Sequence, residues 1–530
     1  MGARIQRAKR ALHVGRVARR SGLLRALREI GVVGKRPATR EGAREFRLAL
    51  EELGTTFVKL GQLLSSRPDL LPDVYIDELD KLVDEVAPVP FAELEPVIRE
   101  DLGEGVFASI DPEPLAAASI AQIHPALLAS GREVVVKVRR PGVVEQVELD
   151  LDLLRSTAAL LERRSEAAQL VQIAALADEL EVHLRAELDF VEEAHNTELI
   201  AALVEDYDDV VVAQVIRPHV TERVLVLERI HGSKVGPDHD LPQERASELA
   251  RSFFRAYMHQ VTRAGVYHAD RHRGNVLLTD DGRLALLDFG LLGRLDDDTR
   301  RSLALLLLGV AQNRADDVAD VILGLSLTTI DSDEPGFVHE LRRKLPRYHW
   351  RPLAGIRAGE ALADLQRISL RYGIRLPPSF ALVGKTLSQA DSIARTLDPL
   401  LDPIELLAQD AIVVMLREAE RRLEPDAFWS YVFTQLEAVS RLPRRVTQVV
   451  DRLETGTLKV GIVPSGLEDA EQMLRSIANR LGAAMIVVGL LISSALMARV
   501  NHTVSLVGFV LASALGLFML WRIFRTPGDL

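Results

Sequence analysis

The sequence predicts an α+β fold in two lobes, a small β-rich lobe followed by a larger helical one. A helical extension precedes them and a hairpin of two transmembrane helices follows. Three observations carry this expectation. Short β-branched runs bounded by turn residues crowd into 106–232, as in GREVVVKVRRPG, which is the signature of strands. From Glu244 onward apolar residues recur instead at helical spacing, as at Leu303, Leu306, Leu307 and Val310. Near the C-terminus Leu481–Ala498 and Thr503–Leu520 are uncharged runs of 18 residues; each is about 27 Å long as a helix, against a hydrocarbon core of about 30 Å.

In chain order, the 530 residues are enough for three or more structural units. Met1–Arg47 holds 14 Lys/Arg against 3 Asp/Glu, so a chain of net charge −11 starts strongly basic and is acidic thereafter. Within 1–40, Ile5, Ala8 and Leu12 lie at helical spacing among Arg4, Arg7, Lys9, Arg16 and Arg19, and the stripe stops at Gly15. That pattern suits a membrane-surface helix. A solvated basic arm or a nucleic-acid tail shares its charge, but no nucleic-acid partner is expected. No continuous apolar run follows the basic start, so no secretory signal is expected. Zero cysteines exclude disulfides, thiolate metal sites and cysteine nucleophiles.

Segment 41–105 reads as the helical extension. The small lobe, 106–232, begins with three strands over Phe107–Arg139, continues through a long helical stretch, Glu145–Asp206, and ends in two strands over Val210–Ile230 broken at Pro218. The helical lobe, 233–470, contains one hairpin: Val276–Leu278, a turn at Asp281-Gly282, and Leu284–Leu287. The transmembrane hairpin spans 481–521 and turns at Arg499, Val500, Asn501 and His502. Arg475 and Arg480 precede it and Arg522 and Arg525 follow it, which places both ends, and the two lobes, on the cytoplasmic side of the cell membrane.

The chemistry is concentrated in HADRHRGN and the LLDFG that follows it. These supply Asp270, Asn275 and Asp288 in the order and spacing in which protein kinases carry a proton-handling Asp, a metal-binding Asn and the metal-binding Asp of Asp-Phe-Gly. Two carboxylates and an amide suit Mg²⁺, which takes a few protein oxygens and fills its shell with phosphate and water. Upstream, Lys137 interrupts the apolar run Val134–Val138; a lysine in a buried strand needs an anion to meet it. In kinases that anion is the α- and β-phosphates together with a helical Glu, and Glu179, Glu181 and Glu187 are the candidates in DELEVHLRAELDF. Alone, Lys137 could be an edge-strand lysine that deters aggregation.

Where a kinase has a Gly-rich loop this chain has PLAAASIAQIH, Pro114–His124. With that feature the sequence resembles the UbiB/ABC1/ADCK family of atypical kinases. Ala116, Ala117, Ala118 and Ser119 match its Ala-rich nucleotide loop, Lys59, Gly61 and Gln62 its KxGQ motif, and Glu187 and Asp189 its ExD motif; Glu181 resembles the helical Glu that orients Lys137. Glu228–Gly232, including Ile230, resembles the hinge that meets adenine. Alanine lacks the left-handed freedom of glycine, so the loop should be a stiffer cover over phosphates. The resemblance implies ATP or ADP with Mg²⁺ as ligands and a role in isoprenoid quinone biosynthesis. It also places the KxGQ motif over the active site, where Lys59 would offset nucleotide charge, Gly61 would allow close backbone approach and Gln62 would bond phosphate or a catalytic carboxylate.

After Gly290 the chain drops quickly into helix with no Ala-Pro-Glu segment, which argues against peptide substrates. The expected activity is therefore phosphoryl transfer to a small or lipidic acceptor, or ATP hydrolysis, with Asp270, Lys137 and Glu181 catalytic and Asn275 and Asp288 on the metal. A non-catalytic nucleotide-binding scaffold and, third, a conventional Ser/Thr protein kinase are the alternatives. Expected partners are membrane lipids, quinone precursors, quinone-biosynthesis enzymes and a second copy of the chain.

Overall fold

The computed structural model describes residues 2–20, 37–67, 70–82, 86–163, 173–237, 241–269, 273–326, 332–348 and 358–403, with isolated positions beyond those spans. The chain divides into two compact units, Met1–Glu424 and Pro425–Leu530. Nearly all described residues belong to the first.

Helices α1 (Gly2–Arg20), α2 (Arg40–Leu53), α3 (Thr55–Ser65) and α4 (Asp73–Leu79) open the chain. Thr39 caps α2 by accepting from Gly42 N, and Gly54, at φ 90°, turns α2 into α3, a backbone that favours glycine. Phe46, Leu50, Leu53, Phe57, Tyr75 and Leu79 share one buried cluster with residues of the helices Val143–Glu162 and Ile173–Leu188. The extension is thus packed onto the small lobe. Helix α1 is fastened by Arg10, which pairs with Asp150 at 2.6 Å and donates to the Leu53 carbonyl, and by buried Val17. The stripe read from the sequence is its outward face, with Ile5 and Leu12 more than half exposed.

The small lobe starts with α5 (Phe91–Leu102), β1 (Phe107–Ile110), β2 (Ala116–Ala117), β3 (Ala121–Leu128) and β4 (Glu133–Arg139). The long helical stretch is three helices, α6 (Val143–Glu162), α7 (Ile173–Leu188) and α8 (Phe190–Val204); Asp189 ends α7 and caps α8 by accepting from Val191 N. Strands β5 (Val210–Val212), β6 (Val215–Val220) and β7 (Val224–Glu228) follow. The main sheet runs β1-β3-β4-β7-β6 with β2 beside β3, all pairs antiparallel. Side chains alternate across a strand, so Val134, Val136 and Val138 of β4 pack on Leu94 and Ile98 of α5 while Lys137 faces the other way. Helix α5, expected in the extension, therefore covers this sheet. Pro218 lies within edge strand β6, where no outer partner needs its missing N–H; the strand continues through it, but its ladder to β7 loses register between Val215 and Val220.

Strand β5 leaves this lobe and pairs in parallel with β11 (Leu284–Leu286) in a second sheet, order β5-β11-β10-β8, with β8 (Gly232–Lys234) and β10 (Val276–Thr279). β10 and β11 form the expected hairpin, with Gly282 at φ 79° in its turn. Between β8 and β10 come α9 (Gln243–His259) and β9 (Val266–His268), and β9 pairs with β12 (Leu292–Arg294). Among the described residues, five longer helices from Asp297 to Leu397 complete the helical lobe around Phe253, Tyr257, Leu306, Phe337 and Leu387.

Among the described residues no helix is long and apolar enough to cross a membrane. The expected hairpin lies outside the described residues except for a few helical positions, where Leu506, Val507, Val510 and Leu511 are each more than half exposed.

Candidate nucleotide site

Lys137 enters the interlobe site from β4. Its Nζ lies 2.6 Å from Glu193 Oε1 and 3.4 Å from Asp288 Oδ1, and 5.4 Å above the Phe190 ring. Glu193 sits on the buried face of α8 with Phe190, Ala194, Thr197 and Ile200 and is only 3% exposed, whereas the Asp288 side chain is 51% exposed. The lysine is thus buried against one carboxylate and shares a second that faces solvent.

Asp288 follows β11 in a left-handed backbone, φ 59°, and its Oδ1 accepts from Gly290 N at 3.3 Å. Asn196 of α8 donates to the Phe289 carbonyl at 3.1 Å. Leu287 N donates to the Asn275 carbonyl at 2.9 Å, so the hairpin brings Asn275 beside the Asp-Phe-Gly segment as expected. The His268 ring packs tilted against Phe289, with centroids 5.3 Å apart, and bonds the Leu287 carbonyl. Asp270 lies outside the described residues.

The electrostatics follow from this packing. Burial would lower the Lys137 pKa, but Asp288 and Glu193 together hold it above its ordinary value. The Lys137 ammonium holds the Asp288 carboxyl well below the usual range, with help from His268 and Lys59. Burial pushes Glu193 up, and Lys137 opposes that rise.

Glu181 does not meet Lys137. Its carboxylate is held by Arg155 and by Arg185 at 2.8 Å. Glu187 does not meet it either, being bound to Lys59 at 2.7 Å. The Lys137 partner is Glu193. Its signal was a charged residue standing at a position of the Phe190, Ala194, Thr197, Ile200 stripe where an apolar one belongs.

The KxGQ residues divide. Lys59 reaches Glu187, and Glu187 Cγ would lie 3.9 Å from a Cβ at Gly290, so this ion pair borders the Asp-Phe-Gly segment. Gly61 serves a different close approach from the one expected: a Cβ there would stand 2.8 Å from Leu50 Cδ1 and 3.4 Å from Leu79 Cδ2. Gln62 donates to the Leu82 carbonyl at 3.5 Å rather than to a catalytic carboxylate. The Ala-rich segment is a tight turn. Ala116 and Ala117 pair with Ile123 and Gln122, and Ala118 N donates to Ala121 O. Arg140 donates to the Ala118 and Ala87 carbonyls, Val86 N to Ala117 O, and Thr55 to Ser119 O. Glu228 ends β7 opposite Val134, and Ile230 follows it towards β8.

A five-stranded path over a helix bearing the lysine's carboxylate, joined to a helical lobe by Asn275 and Asp288, defines a kinase-like protein. Residues 81–322 match the ABC1 atypical kinase-like domain, 341–402 the UbiB helical domain and 465–525 the ABC1/UbiB kinase-like C-terminal domain. The probable protein kinase UbiB of Xanthomonas campestris pv. campestris (strain B100) is 34% identical over 485 residues, 87% of this chain and 85% of that protein. That of Xylella fastidiosa (strain 9a5c) is 36% identical over 388 residues, 71% and 70% of the two chains. A solved Mycobacterium tuberculosis protein in complex with erythromycin is 23% identical, with a TM-score of 0.48 over 68% of this chain and 93% of that one. The chain belongs to the UbiB/ABC1 family of atypical kinase-like proteins.

Proposed function

We propose that this chain is a membrane-anchored atypical kinase or ATPase that binds Mg·ATP or Mg·ADP and supports isoprenoid quinone biosynthesis. It acts on, or is regulated by, a lipid or small molecule rather than phosphorylating proteins. The observation that carries the reading is Lys137, buried between Glu193 at 2.6 Å and Asp288 at 3.4 Å. A buried ammonium with one carboxylate behind it and a second, half-exposed one beside it is poised to meet phosphate.

The donor set fits Mg²⁺. Asp288 is held ionised and open to solvent, with Asn275 next to it in the backbone ladder. Among the described residues no group of three or more His, Cys, Asp or Glu gathers as a metal cluster, and Mg²⁺ needs only one or two protein oxygens beside phosphate and water. When bound, the ion would neutralise charge on the transferring phosphates. Glu193 orients Lys137 towards the α- and β-phosphates, and Asp270 holds or accepts the proton of the acceptor hydroxyl or water. The Lys59–Glu187 pair walls the side where a peptide would approach. The outward face of α1 and the apolar C-terminal runs supply the membrane contact, which keeps the lobes beside membrane lipids, quinone precursors and the enzymes that process them. A second copy of the chain is a further partner.

Phosphate release by the purified full-length protein in liposomes, with and without an isoprenoid lipid, tests the reading. Mg-dependent release that the lipid changes is expected. Binding without release points to a nucleotide-binding scaffold, and failure to bind Mg·nucleotide overturns the proposal.

A further inference from the structure

We propose that Asn196 is a positioning residue that locks the peptide between Phe289 and Gly290 and so sets Asp288, an inference that rests on the nucleotide-site reading. One peptide group carries both contacts. Its carbonyl, Phe289 O, accepts from Asn196 Nδ2 at 3.1 Å, and its N–H, Gly290 N, donates to Asp288 Oδ1 at 3.3 Å. Asn196 is 4% exposed and Phe289 2%, too buried for solvent to replace the amide.

Sterics alone do not hold this peptide. A Cβ at Gly290 would meet nothing closer than Asp288 Oδ1 at 3.5 Å, and glycine leaves its own backbone free to rotate. A flip would put a carbonyl oxygen where the N–H now faces the Asp288 carboxylate. It would also remove a hydrogen bond from a residue already in the left-handed region, φ 59°, which an aspartate occupies at a cost. Asn196 lies three positions beyond Glu193 and is buried with it in α8. One rigid helix thus fixes Lys137 through Glu193 and Asp288 through the Phe289–Gly290 peptide.

The test compares full-length wild type with Asn196→Leu, which keeps size and removes the donor, and with Asn196→Ser, a milder change that retains the fold if leucine does not. Hydrogen exchange without nucleotide reads the lock directly. Segment 287–291 should exchange about tenfold faster in the variants, the scale of one buried hydrogen bond, while α8 stays protected. Adding Gly290→Ala to Asn196→Ser should restore protection, because alanine resists the left-handed backbone that a flipped peptide needs. Affinity for Mg·nucleotide should fall about tenfold while affinity for metal-free nucleotide holds. Unchanged exchange at 287–291, or equal loss of both affinities without rescue by Gly290→Ala, overturns the assignment. A wild type that binds no Mg·nucleotide would sink the nucleotide reading instead, and the exchange comparison would still decide Asn196.

Discussion

Replacing Glu193 by Gln separates stability from function at one atom pair. The variant keeps the shape of the side chain and removes the charge 2.6 Å from Lys137 Nζ. A unit charge pair at 4 Å is worth about 4 kcal/mol at an effective dielectric of about 20, so the gross loss is large. Two offsets reduce it. Glu193 is 3% exposed and burial already disfavours its charged form, and effective desolvation costs are several kcal/mol per ion. Lys137 also retains Asp288 at 3.4 Å. The net change in unfolding free energy should therefore stay within about 1.5 kcal/mol, well below the 3–5 kcal/mol expected when a buried ion loses its sole partner. Function should suffer more. Freed from Glu193, the ammonium swings onto Asp288 and leaves the phosphate path; displacements of about 1 Å can cost about 100-fold in turnover. Glu181→Gln is the control, because its carboxylate pairs with Arg155 and Arg185 and not with Lys137. Urea unfolding, nucleotide titration and phosphate release measure the three quantities. The reasoning fails if Glu181→Gln weakens nucleotide binding as much as Glu193→Gln does, or if Glu193→Gln leaves both binding and turnover at wild-type values.

Asp288→Asn should abolish the Mg-dependent part of the thermal stabilisation given by nucleotide; equal shifts in both proteins would refute the metal assignment. The same variant carries a pH signature. The folded Asp288 pKa is depressed, so its contribution is present above the unfolded value of about 3.9 and is lost as pH falls through the folded one. The urea-midpoint gap between wild type and Asp288→Asn should narrow between neutral pH and pH ~3, and a constant gap would contradict the Lys137–Asp288 coupling. Lys59→Ala, which removes the ammonium 2.7 Å from Glu187 beside Gly290, should change nucleotide affinity and basal turnover several-fold; wild-type values in both, in a folded variant, would remove the extension from the site. Truncation before Leu481 should abolish tight membrane association but keep nucleotide binding, leaving only the salt-sensitive adsorption of a basic helix, and a salt-resistant membrane-bound remainder would show that the hairpin is not the main anchor.

The elements that sequence made legible are those whose cause is local. Alternation in β4 separates Lys137 from Val134, Val136 and Val138, and a turn with Gly282 joins the strands that bring Asn275 and Asp288 together. The break between α7 and α8 is also written locally, in Asp189 with Glu192 three residues on, a helix-start pattern, and it places Glu193 in the first turn of a new helix. Other features depend on distant partners. Nothing near Pro218 states that its strand lies at a sheet edge. Nothing near Arg10 names Asp150, 140 residues away, so the sequence of α1 shows its exposed stripe and not the polar face that fastens it. Nothing near Gly61 names Leu50 and Leu79, which only the packing of the extension brings against it.

On the proposed reading, in which nucleotide lies beneath the Ala-rich turn, the fastening of that turn has a kinetic consequence. A glycine flap rises and falls on its own, so nucleotide beneath it can come and go on the timescale of a loop. Here the turn is tied to residues before the small lobe through Val86, Ala87 and Thr55. To lift, it must break those ties together, and the extension becomes part of the barrier. Such a barrier slows arrival and departure alike without altering the equilibrium between them. A bound nucleotide would then outlast many encounters with an acceptor, and the extension would set the interval between one nucleotide and the next.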